Sequence, residues 1–573
     1  MLRGDDDPAR LAARGPHGNR GTEIARAVMR PIPPALERGL VALLFAVFVV
    51  LALVVARSDT PTVDEFVYLP AGYYHLRTGD LTFDSTNPPL LKMAMAVPLL
   101  AMDLTLDRDP RWRDNRTGWG PWIFGTRFME VNRARYLDAF FAGRLTTIAF
   151  GAATAFLLWW WARRALGPVA ALGALFIFCV QPTVIAHGAL ATLDMGVTAL
   201  VFAAFFALSR FTETADRPWA ALAGVLLGLG IAGKGVTLIF LPLVPVLAAV
   251  GWRGWDRERL VRLVDGLVVL AVAGWVTLLA VYGFSGFPLP APVLEGIRFQ
   301  ADASSAGEFP AFLNGGWSQT GWWYYFLEAF AVKTPVATIV LVLAGFVVAA
   351  RRRVRTDAWF VLPPLLLVYV LSFHFGKNYG VRYLLPALPF LAIVAGRAAD
   401  TLLSERRTRL VVAGLLVWQF ASTLLNAPYY LAYFNELAGP TDHDRRLLLD
   451  SNLDWGQDLG RLKTYLASAG TNRVALAYFG HVDPTLYDLD YTLPPTAPAR
   501  GRYVVSANYL AGYQYAITYA RDHMIGVRRG QWSWLDRLVP SARVGRSLFV
   551  FDVSDDDVRR LTDSALPAAG ETR

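Results

Sequence analysis

The sequence contains a series of apolar segments, each about as long as a membrane's hydrocarbon core is thick. An α-helix needs about 20 residues to cross about 30 Å of hydrocarbon. Such segments begin near Leu36, Ala139, Pro168, Met195, Trp219, Gly235, Leu263, Pro335, Ala358, Val381 and Leu410. The two near Trp219 and Gly235 are short, and a tight hairpin around Lys234 would join them. The sequence therefore predicts a mainly α fold, a polytopic membrane bundle of about 11 transmembrane helices.

The composition supports a membrane protein and excludes several other classes. Of the 573 residues, 54% are hydrophobic and 18% are charged, whereas an ordinary soluble domain carries about 25% charged residues. A disordered chain and a coiled coil are therefore excluded. The single cysteine, Cys179, lies in an apolar segment, so no intrachain disulfide and no cysteine-based metal site is expected.

Basic residues fall in alternate gaps between the apolar segments. These gaps contain Arg26, Arg30 and Arg38, then Arg163 and Arg164, Arg210 and Arg217, Arg253 to Arg262, Arg351 to Arg355, and Arg406 to Arg409. By the positive-inside rule, all of these gaps are cytoplasmic. The net charge of +9 then follows from topology, so no nucleic-acid partner is needed to explain it.

This topology predicts three regions. Residues 1–35, rich in Arg, Gly and Pro, form a disordered cytoplasmic tail. Residues 36–427 form the transmembrane domain, with large outer loops at 57–138 and 285–334. Residues 428–573, here called the C-terminal tail, form a small extracytoplasmic α/β domain.

Within the C-terminal tail, charge and turn residues become more frequent and the apolar runs become short. The runs Arg473–Phe479, Arg502–Ser506 and Ser547–Val553 are typical of strands. Gln457–Ala469 has helical spacing, with Leu459, Leu462 and Leu466 on one face.

Acidic residues mark the outer ends of two predicted spans. Asp64 and Glu65 follow the first span, and Asp194 precedes the fourth. Tyr68 and Asn87 lie further along the first outer loop. A carboxylate at a helix start also serves as a cap or complements the helix dipole, so the sequence leaves that structural alternative open for Asp64 and Asp194.

Four cations lie on the predicted outer side, against the positive-inside bias: Lys234, Lys333, Lys377 and Arg382. Charges near membrane depth are costly and usually have a partner or a role. Each of the four could instead extend along the membrane to reach water. Together they would form a positive cluster at headgroup level that suits the phosphate of a lipid.

This combination predicts group transfer from a lipid phosphate. A leaving phosphate needs charge stabilisation, which cations supply, and an acceptor hydroxyl needs a carboxylate base. Asp64 is the predicted base. The sequence contains no zinc-protease motif, Walker loop or nucleophile elbow.

Four short motifs carry a family resemblance: Asp64-Glu65, Asn87-Pro88-Pro89-Leu90, Thr192-Leu193-Asp194 and Arg382-Tyr383-Leu384-Leu385-Pro386. In their order and sidedness they resemble the protein O-mannosyltransferase and lipid A aminoarabinose transferase group, GT-C fold glycosyltransferases of families 39 and 83. The resemblance covers about residues 36–427. The segments Tyr433–Pro440 and Asp450–Asp458 also look like those of bacterial family 39 members.

The resemblance implies a hexosyl- or pentosyltransferase of the plasma (inner) membrane. It would use a polyprenyl-phosphate-linked sugar, act on the extracytoplasmic face and invert the anomeric carbon. The acceptor would be a protein, a lipid or a glycan. Asp64 matches the catalytic acidic position, with the role of general base. Glu65 and Asp194 would orient substrates or a divalent metal ion, and Lys377 and Arg382 match phosphate contacts, joined by Lys234 and Lys333.

One difference from the family's motifs limits the acceptor and the metal that the resemblance implies. The aminoarabinose transferases have Glu-Lys-Pro-Pro where this chain has Thr86-Asn87-Pro88-Pro89. This difference argues against a lipid A acceptor and against a metal held by that glutamate. Tyr68 and Asn87 remain predicted substrate-binding residues.

In the C-terminal tail, Asp454, Trp455 and Gln457 are predicted to bind the acceptor, because an aromatic face beside polar groups suits a sugar ring. Nearby Asp450 offers a further polar group. Ordinary capping of a loop and the following helix explains these residues equally well.

A second function class also remains open, a lipid-linked sugar flippase or other transporter. Transporters typically place charges at mid-membrane beside broken helices, whereas here most charges lie at predicted span ends. A membrane-anchored adhesion or assembly protein fits poorly, because an anchor needs far fewer spans.

Overall fold

A computed structural model describes residues 32–107, 119–253, 256–305, 310–374, 378–440, 443–519 and 523–563. Most of the predicted N-terminal tail, residues 1–31, and the predicted phosphate ligand Lys377 lie outside the described residues.

Long apolar helices dominate residues 34–425. Among the described residues, six helices are long and apolar enough to cross a membrane: Pro34–Ser58, Tyr136–Leu166, Leu193–Thr214, Arg257–Val281, Arg355–Phe373 and Val381–Leu403. The last of these begins with the 3-10 turn Val381–Ala387, followed by the α-helix Leu388–Leu403. Two further helices, Pro168–Cys179 and Pro182–Gly188, meet at a 61° bend and count as a seventh span if taken together.

The remaining predicted spans are shorter in the structure. Arg217–Gly233 and Arg409–Leu425 are apolar helices below the length of a full span, and Val336–Arg352 has 17 residues. The segment near Gly235 is not one helix, because the 3-10 turn Gly235–Phe240 is followed by the separate helix Leu243–Gly251. Pro242, whose ring cannot continue a helix from the preceding turn, lies at this break.

The two large loops contain their own elements. The described part of the first loop contains the helices Val63–Thr78, Leu90–Ala96 and Gly120–Val131 and the 3-10 turn Val97–Ala101. The second contains the helices Ala291–Ser305 and Tyr325–Lys333 and the antiparallel strands β1 (Ala311–Leu313) and β2 (Gly316–Ser318).

The C-terminal tail contains a five-stranded sheet. Its strands are β3 (Arg473–Ala477), β4 (Asp490–Thr492), β5 (Gly501–Ser506), β8 (Ala542–Val544) and β9 (Leu548–Val553), in the order β4-β3-β5-β9-β8. β3 is parallel to β4 and β5, and β9 is antiparallel to β5 and β8. A separate hairpin pairs β6 (Ala516–Tyr519) with β7 (His523–Gly526). The three predicted strands therefore correspond to β3, β5 and β9.

Short helices complete the tail: Asp444–Leu447, Leu459–Ser468, Ala507–Leu510 and Asp555–Asp563, with 3-10 turns at Glu436–Ala438, Asp450–Asn452, Pro484–Tyr487 and Ser533–Arg537. Leu459, Leu462 and Leu466 are fully buried, as the helical spacing predicts. The predicted fold class, a mainly helical membrane bundle with a small C-terminal sheet region, is confirmed.

The tail is joined to the bundle by backbone hydrogen bonds. Thr60 N donates to Gln457 O at 2.9 Å, and Val63 N donates to Trp455 O at 3.1 Å. These bonds lie directly before the helix that carries Asp64. We call this end of the bundle the tail face.

Candidate active site

The helix Val63–Thr78 places Asp64 at the tail face. Thr62 is its N-cap residue, and Glu65 accepts a hydrogen bond from Thr62 N at 2.9 Å, which is half of a capping box. Asp64 is the second residue of the helix, and its carboxylate accepts a hydrogen bond from Arg382 Nη1 at 2.6 Å. The cap therefore belongs to Thr62 and Glu65, which leaves the Asp64 carboxylate to face another part of the chain.

Four charged residues from four separate segments meet here, and we call them the acid–cation cluster: Asp64, Asp194, Lys234 and Arg382. Arg382 Nη1 lies 2.6 Å from Asp64 Oδ2 and 3.8 Å from Asp194 Oδ2. Lys234 Nζ pairs with Asp194 Oδ1. The side chains of Asp194, Arg382, Lys234 and Asp64 are 3%, 9%, 13% and 19% exposed, so Asp64 is the most accessible member.

The cluster balances two carboxylates against two cations. Buried charges are tolerated only when they are paired, so this balance accounts for four ionic groups in one location. Aromatic rings complete the pairing: Lys234 Nζ lies 5.0 Å from the Tyr383 ring centroid, and the Arg382 guanidinium lies 4.4 Å from that of Trp455. An added anion would change the balance and would compete with Asp64 for Arg382.

Tyr68 and Asn87 lie beside the cluster. Tyr68 is one helical turn after Asp64, on the same helix face, and its hydroxyl accepts a hydrogen bond from Asn87 Nδ2 at 3.2 Å. Burial raises the pKa of Tyr68 well above its usual value, and the nearby charge of Asp64 raises it further. Tyr68 therefore stays neutral and offers a hydroxyl near the most accessible carboxylate.

Asp84, an acid in the same loop, was not predicted from the sequence. Its carboxylate pairs with the buried Lys92 Nζ at 2.8 Å, and Lys92 also donates to Asp84 O at 2.8 Å. A lone lysine in an apolar stretch needs a partner, and this signal could have indicated Asp84. The pair stabilises the loop that carries Asn87.

Glu65 has a different environment from its neighbour. It is fully buried and its carboxylate accepts hydrogen bonds from Arg144 Nε and Nη2, both at 2.7 Å, and from Ala191 N at 2.6 Å. Arg144, which was also not predicted from the sequence, donates to the backbone of Ala56 and Asp59 as well. An arginine inside an apolar segment was the available signal. Glu65 thus connects the Asp64 helix to the loop before Asp194.

Lys333 is engaged by the C-terminal tail. Its ammonium is buried, donates to Leu431 O at 2.9 Å and Asn452 O at 2.5 Å, and lies 4.3 Å from the Phe434 ring. Burial lowers the pKa of Lys333 well below its usual value. The structure therefore gives Lys333 contacts within the protein and does not bring it to the acid–cation cluster.

The three predicted acceptor-binding residues of the tail are all buried: Asp454, Trp455 and Gln457. Asp454 accepts hydrogen bonds from Gly456 N at 3.1 Å and from the Ser506 hydroxyl. Gln457 accepts one from Trp455 N at 2.8 Å. These bonds favour the alternative of a structural loop, although Asp454 closes the loop itself and does not cap the helix that begins at Leu459.

Asp454 gives the tail a testable pH dependence. Burial raises its pKa to about 8, from 3.8 for the ordinary group. The folded state therefore binds a proton that the unfolded state releases above about pH 4, so the free energy of unfolding falls as pH rises from about 4 to about 8. We expect Asp454→Asn to reduce the loss of melting temperature between pH 5 and pH 8, measured by intrinsic fluorescence. The exposed Asp490→Asn is the control, and an unchanged slope in Asp454→Asn would contradict the assignment.

The acid–cation cluster leaves little for a metal ion to bind. In the parts of the chain that the structure describes, no group of three or more His, Cys, Asp or Glu residues could hold one. Asp64 and Asp194 are paired with Arg382 and Lys234, and Glu65 is saturated by donors. These contacts do not fit the divalent ion that the sequence left open.

Part of the chain that forms this site matches a known protein family. Residues 136–277, which include Asp194 and Lys234, match the family described as dolichyl-phosphate-mannose-protein mannosyltransferase. Among curated proteins, none matches the chain.

Solved structures of ArnT and of a protein O-mannosyltransferase complex are also similar. ArnT from Cupriavidus metallidurans in the apo state is 15% identical, with 85% of this chain and 98% of that chain covered and a TM-score of 0.46. The same protein bound to undecaprenyl phosphate is 16% identical, with 90% and 98% covered and a TM-score of 0.45. The S. cerevisiae Pmt1-Pmt2 complex bound to the sugar donor is 16% identical, with 46% and 35% covered and a TM-score of 0.33.

The family match agrees with the resemblance that the short motifs indicated, and it includes one of them, Thr192-Leu193-Asp194. This partial match and the apolar helices support a membrane glycosyltransferase of the GT-C fold.

Proposed function

We propose that this protein transfers a sugar from a polyprenyl-phosphate-linked donor to an acceptor hydroxyl on the extracytoplasmic side of the membrane. The observation that carries the proposal is the meeting of Asp64, the most accessible carboxylate, with Arg382, Asp194 and Lys234 in one cluster. The family match supports the substrate class, since the matched family is described by a lipid-phosphate sugar donor.

In the proposed reaction, the donor phosphate replaces Asp64 as the partner of Arg382. The freed carboxylate accepts the proton of the acceptor hydroxyl, whose oxygen attacks the anomeric carbon from the face opposite the phosphate. The carbon–oxygen bond to phosphate breaks, and the electron pair leaves with the polyprenyl phosphate. Arg382 and Lys234 stabilise the charge that develops there, and the anomeric carbon is inverted.

The other cluster members are assigned supporting roles. Asp194 holds Lys234 in place for the phosphate. Tyr68 and Asn87 are the proposed hydrogen-bonding groups for the sugar or the acceptor, because they lie next to Asp64. Lys377, five residues before Arg382, stays a proposed phosphate contact from its position in the sequence. The acceptor remains a protein, lipid or glycan.

The proposal is tested with labelled polyprenyl-phosphate hexoses and pentoses and host membranes as the acceptor source. We expect release of polyprenyl phosphate together with label in the acceptor. Arg382→Gln should slow the release about 10²-fold, since removing one stabilising donor typically costs this much. Arg57→Gln is the matched control, because Arg57 is an exposed arginine at the end of the first span, with its guanidinium over the Phe141 ring. Equal loss in both variants, or no release by the wild type, would contradict the proposal.

One observation favours the alternative of a lipid-linked sugar transporter. The 61° bend between Pro168–Cys179 and Pro182–Gly188 is a broken helix of the kind that transporters use at their substrate sites, and Asp194 lies shortly after it. Proteoliposomes separate the two functions. Movement of intact donor across the bilayer without release of polyprenyl phosphate would support the transporter.

A further inference from the structure

The segment Asp450–Gln457, here called the tail loop, contacts the chain segments that carry Asp64 and Arg382. We call these two residues the catalytic pair. On one side, Trp455 O and Gln457 O accept hydrogen bonds from Val63 N at 3.1 Å and Thr60 N at 2.9 Å. These bonds hold the backbone immediately before Asp64. The N-terminal end of the Asp64 helix is thus fixed by the C-terminal tail.

On its other side, the tail loop holds the backbone before Arg382. Asn452 Oδ1 accepts a hydrogen bond from Val381 N at 2.9 Å, and Ser451 Oγ donates to Tyr379 O at 2.5 Å. Gly380 between them has a φ of +128°, and a Cβ there would collide with Ser451 Oγ. The loop and the segment before Arg382 therefore fit closely only because residue 380 is glycine.

The tail loop is itself firmly anchored. Lys333 Nζ donates to Asn452 O at 2.5 Å, and Asn452 Nδ2 donates to Tyr325 Oη at 3.1 Å. Both anchoring residues belong to the helix Tyr325–Lys333 of the second loop. This explains why a buried lysine is present at position 333, away from the acid–cation cluster.

Trp455 makes direct contact with the catalytic arginine. Its ring is 1% exposed, and the Arg382 guanidinium lies 4.4 Å from the ring centroid. Arg382 Nε has no hydrogen-bond partner among the residues that the structure describes, where the guanidinium is held by its carboxylate contacts and by the aromatic rings. A desolvated cation over a tryptophan face is a favourable arrangement, and it fixes the plane from which Nη1 reaches Asp64.

We propose that Trp455 is a positioning residue for Arg382 and that the tail loop holds the two members of the catalytic pair together. In this role Trp455 acts from inside the protein and does not bind the acceptor. This inference rests on the proposed function. It adds that a buried tryptophan without access to substrate controls how well the donor phosphate is held.

The first test compares Trp455→Leu with Trp455→Phe in the purified full-length protein. Trp455→Leu should lower kcat/KM for the polyprenyl-phosphate sugar at least about tenfold and weaken inhibition by free polyprenyl phosphate to a similar degree. Trp455→Phe keeps a ring face and should recover most of both. The control is Trp532→Leu, which removes another fully buried tail tryptophan, bonded to Pro494 O. It should lower the melting temperature while kcat/KM per folded protein stays within about threefold.

A double-mutant cycle separates positioning from general destabilisation. In an Arg382→Gln background the cation over the ring is gone, so Trp455→Leu should have little further effect on transfer. Additive losses would overturn the positioning role. So would equal losses in Trp455→Leu and Trp532→Leu.

The same cycle measured by melting temperature keeps the two proposals distinguishable. If the wild type transfers no sugar from any donor, the proposed function fails, and the coupling of Trp455 to Arg382 is still read from the melting temperatures. If the wild type transfers sugar and the cycle is additive in both measurements, only the positioning proposal fails.

Discussion

Asp64→Asn is expected to abolish most sugar transfer while leaving the fold intact. The substitution keeps the size of the side chain and an oxygen that can accept from Arg382, but it removes the group that takes the acceptor proton. A positioned general base typically contributes about 10²- to 10⁴-fold in rate. We therefore expect kcat to fall by up to about 10⁴-fold in the labelled-donor assay. Because Asp64 lies at the accessible edge of the cluster, the melting temperature should change far less than the rate.

The control for this substitution is Asp138→Asn. Asp138 is an exposed acid in the first turn of the helix Tyr136–Leu166, so it tests the loss of one carboxylate near a helix start. It should transfer at the wild-type rate. Donor binding by Asp64→Asn should persist, since Arg382 and Lys234 remain. Near-normal transfer by Asp64→Asn would show that another group accepts the proton.

A second acid near the cluster makes this experiment informative. Asp450, at the start of the tail loop, has its pKa raised to about 7 by burial, while the nearby charge of Arg382 acts in the opposite direction. Asp450 begins the tail loop, which bonds to the backbone beside both Asp64 and Arg382. If Asp64→Asn retains transfer with a rate that rises as pH passes through about 7, Asp450 is the replacement base to test.

The sequence could predict the features that depend on local pattern. Apolar segments of sufficient length indicated the helical bundle, and alternation indicated β3, β5 and β9. The acid–cation cluster was predictable in part for a physical reason, since unpaired charges at membrane depth are costly. Asp64, Asp194, Lys234 and Arg382 each stood out as such a charge, and the structure pairs them with one another.

What the sequence could not predict are contacts between segments far apart in the chain. Glu65 and Asp64 are adjacent and chemically similar, yet Glu65 is bonded to Arg144 and Asp64 to Arg382. Trp455 and Gln457 had polar and aromatic character that suits a sugar, and their burial follows only from the docking of the tail on the bundle. The break before the helix Leu243–Gly251 lies at Pro242, a local signal that hydrophobic periodicity alone does not take into account.

Glu65→Gln is expected to cost much of the stability of the protein. The change removes a charge that Arg144 contacts through both Nε and Nη2, and both side chains are almost completely buried, at 0% and 2% exposure. Breaking a buried ion pair from one side typically costs about 3–5 kcal/mol, because the remaining charge is uncompensated. We expect a large fall in melting temperature in detergent and a low yield of folded protein. The matched control is Asp265→Asn, whose partner Arg217 is exposed, and there the melting temperature should hardly change.

The double variant Glu65→Gln with Arg144→Met decides whether the cost comes from the charge or from the shape of the site. If the unpaired guanidinium is the cause, removing it should restore part of the melting temperature, so the two losses should be strongly non-additive. Sugar transfer should return together with stability, because glutamine keeps an oxygen that can accept from Ala191 N, in the loop that leads to Asp194. An additive double variant would mean that Glu65 and Arg144 stabilise the fold separately, and transfer that stays lost although stability returns would mean that the charge of Glu65 itself is needed to position Asp194.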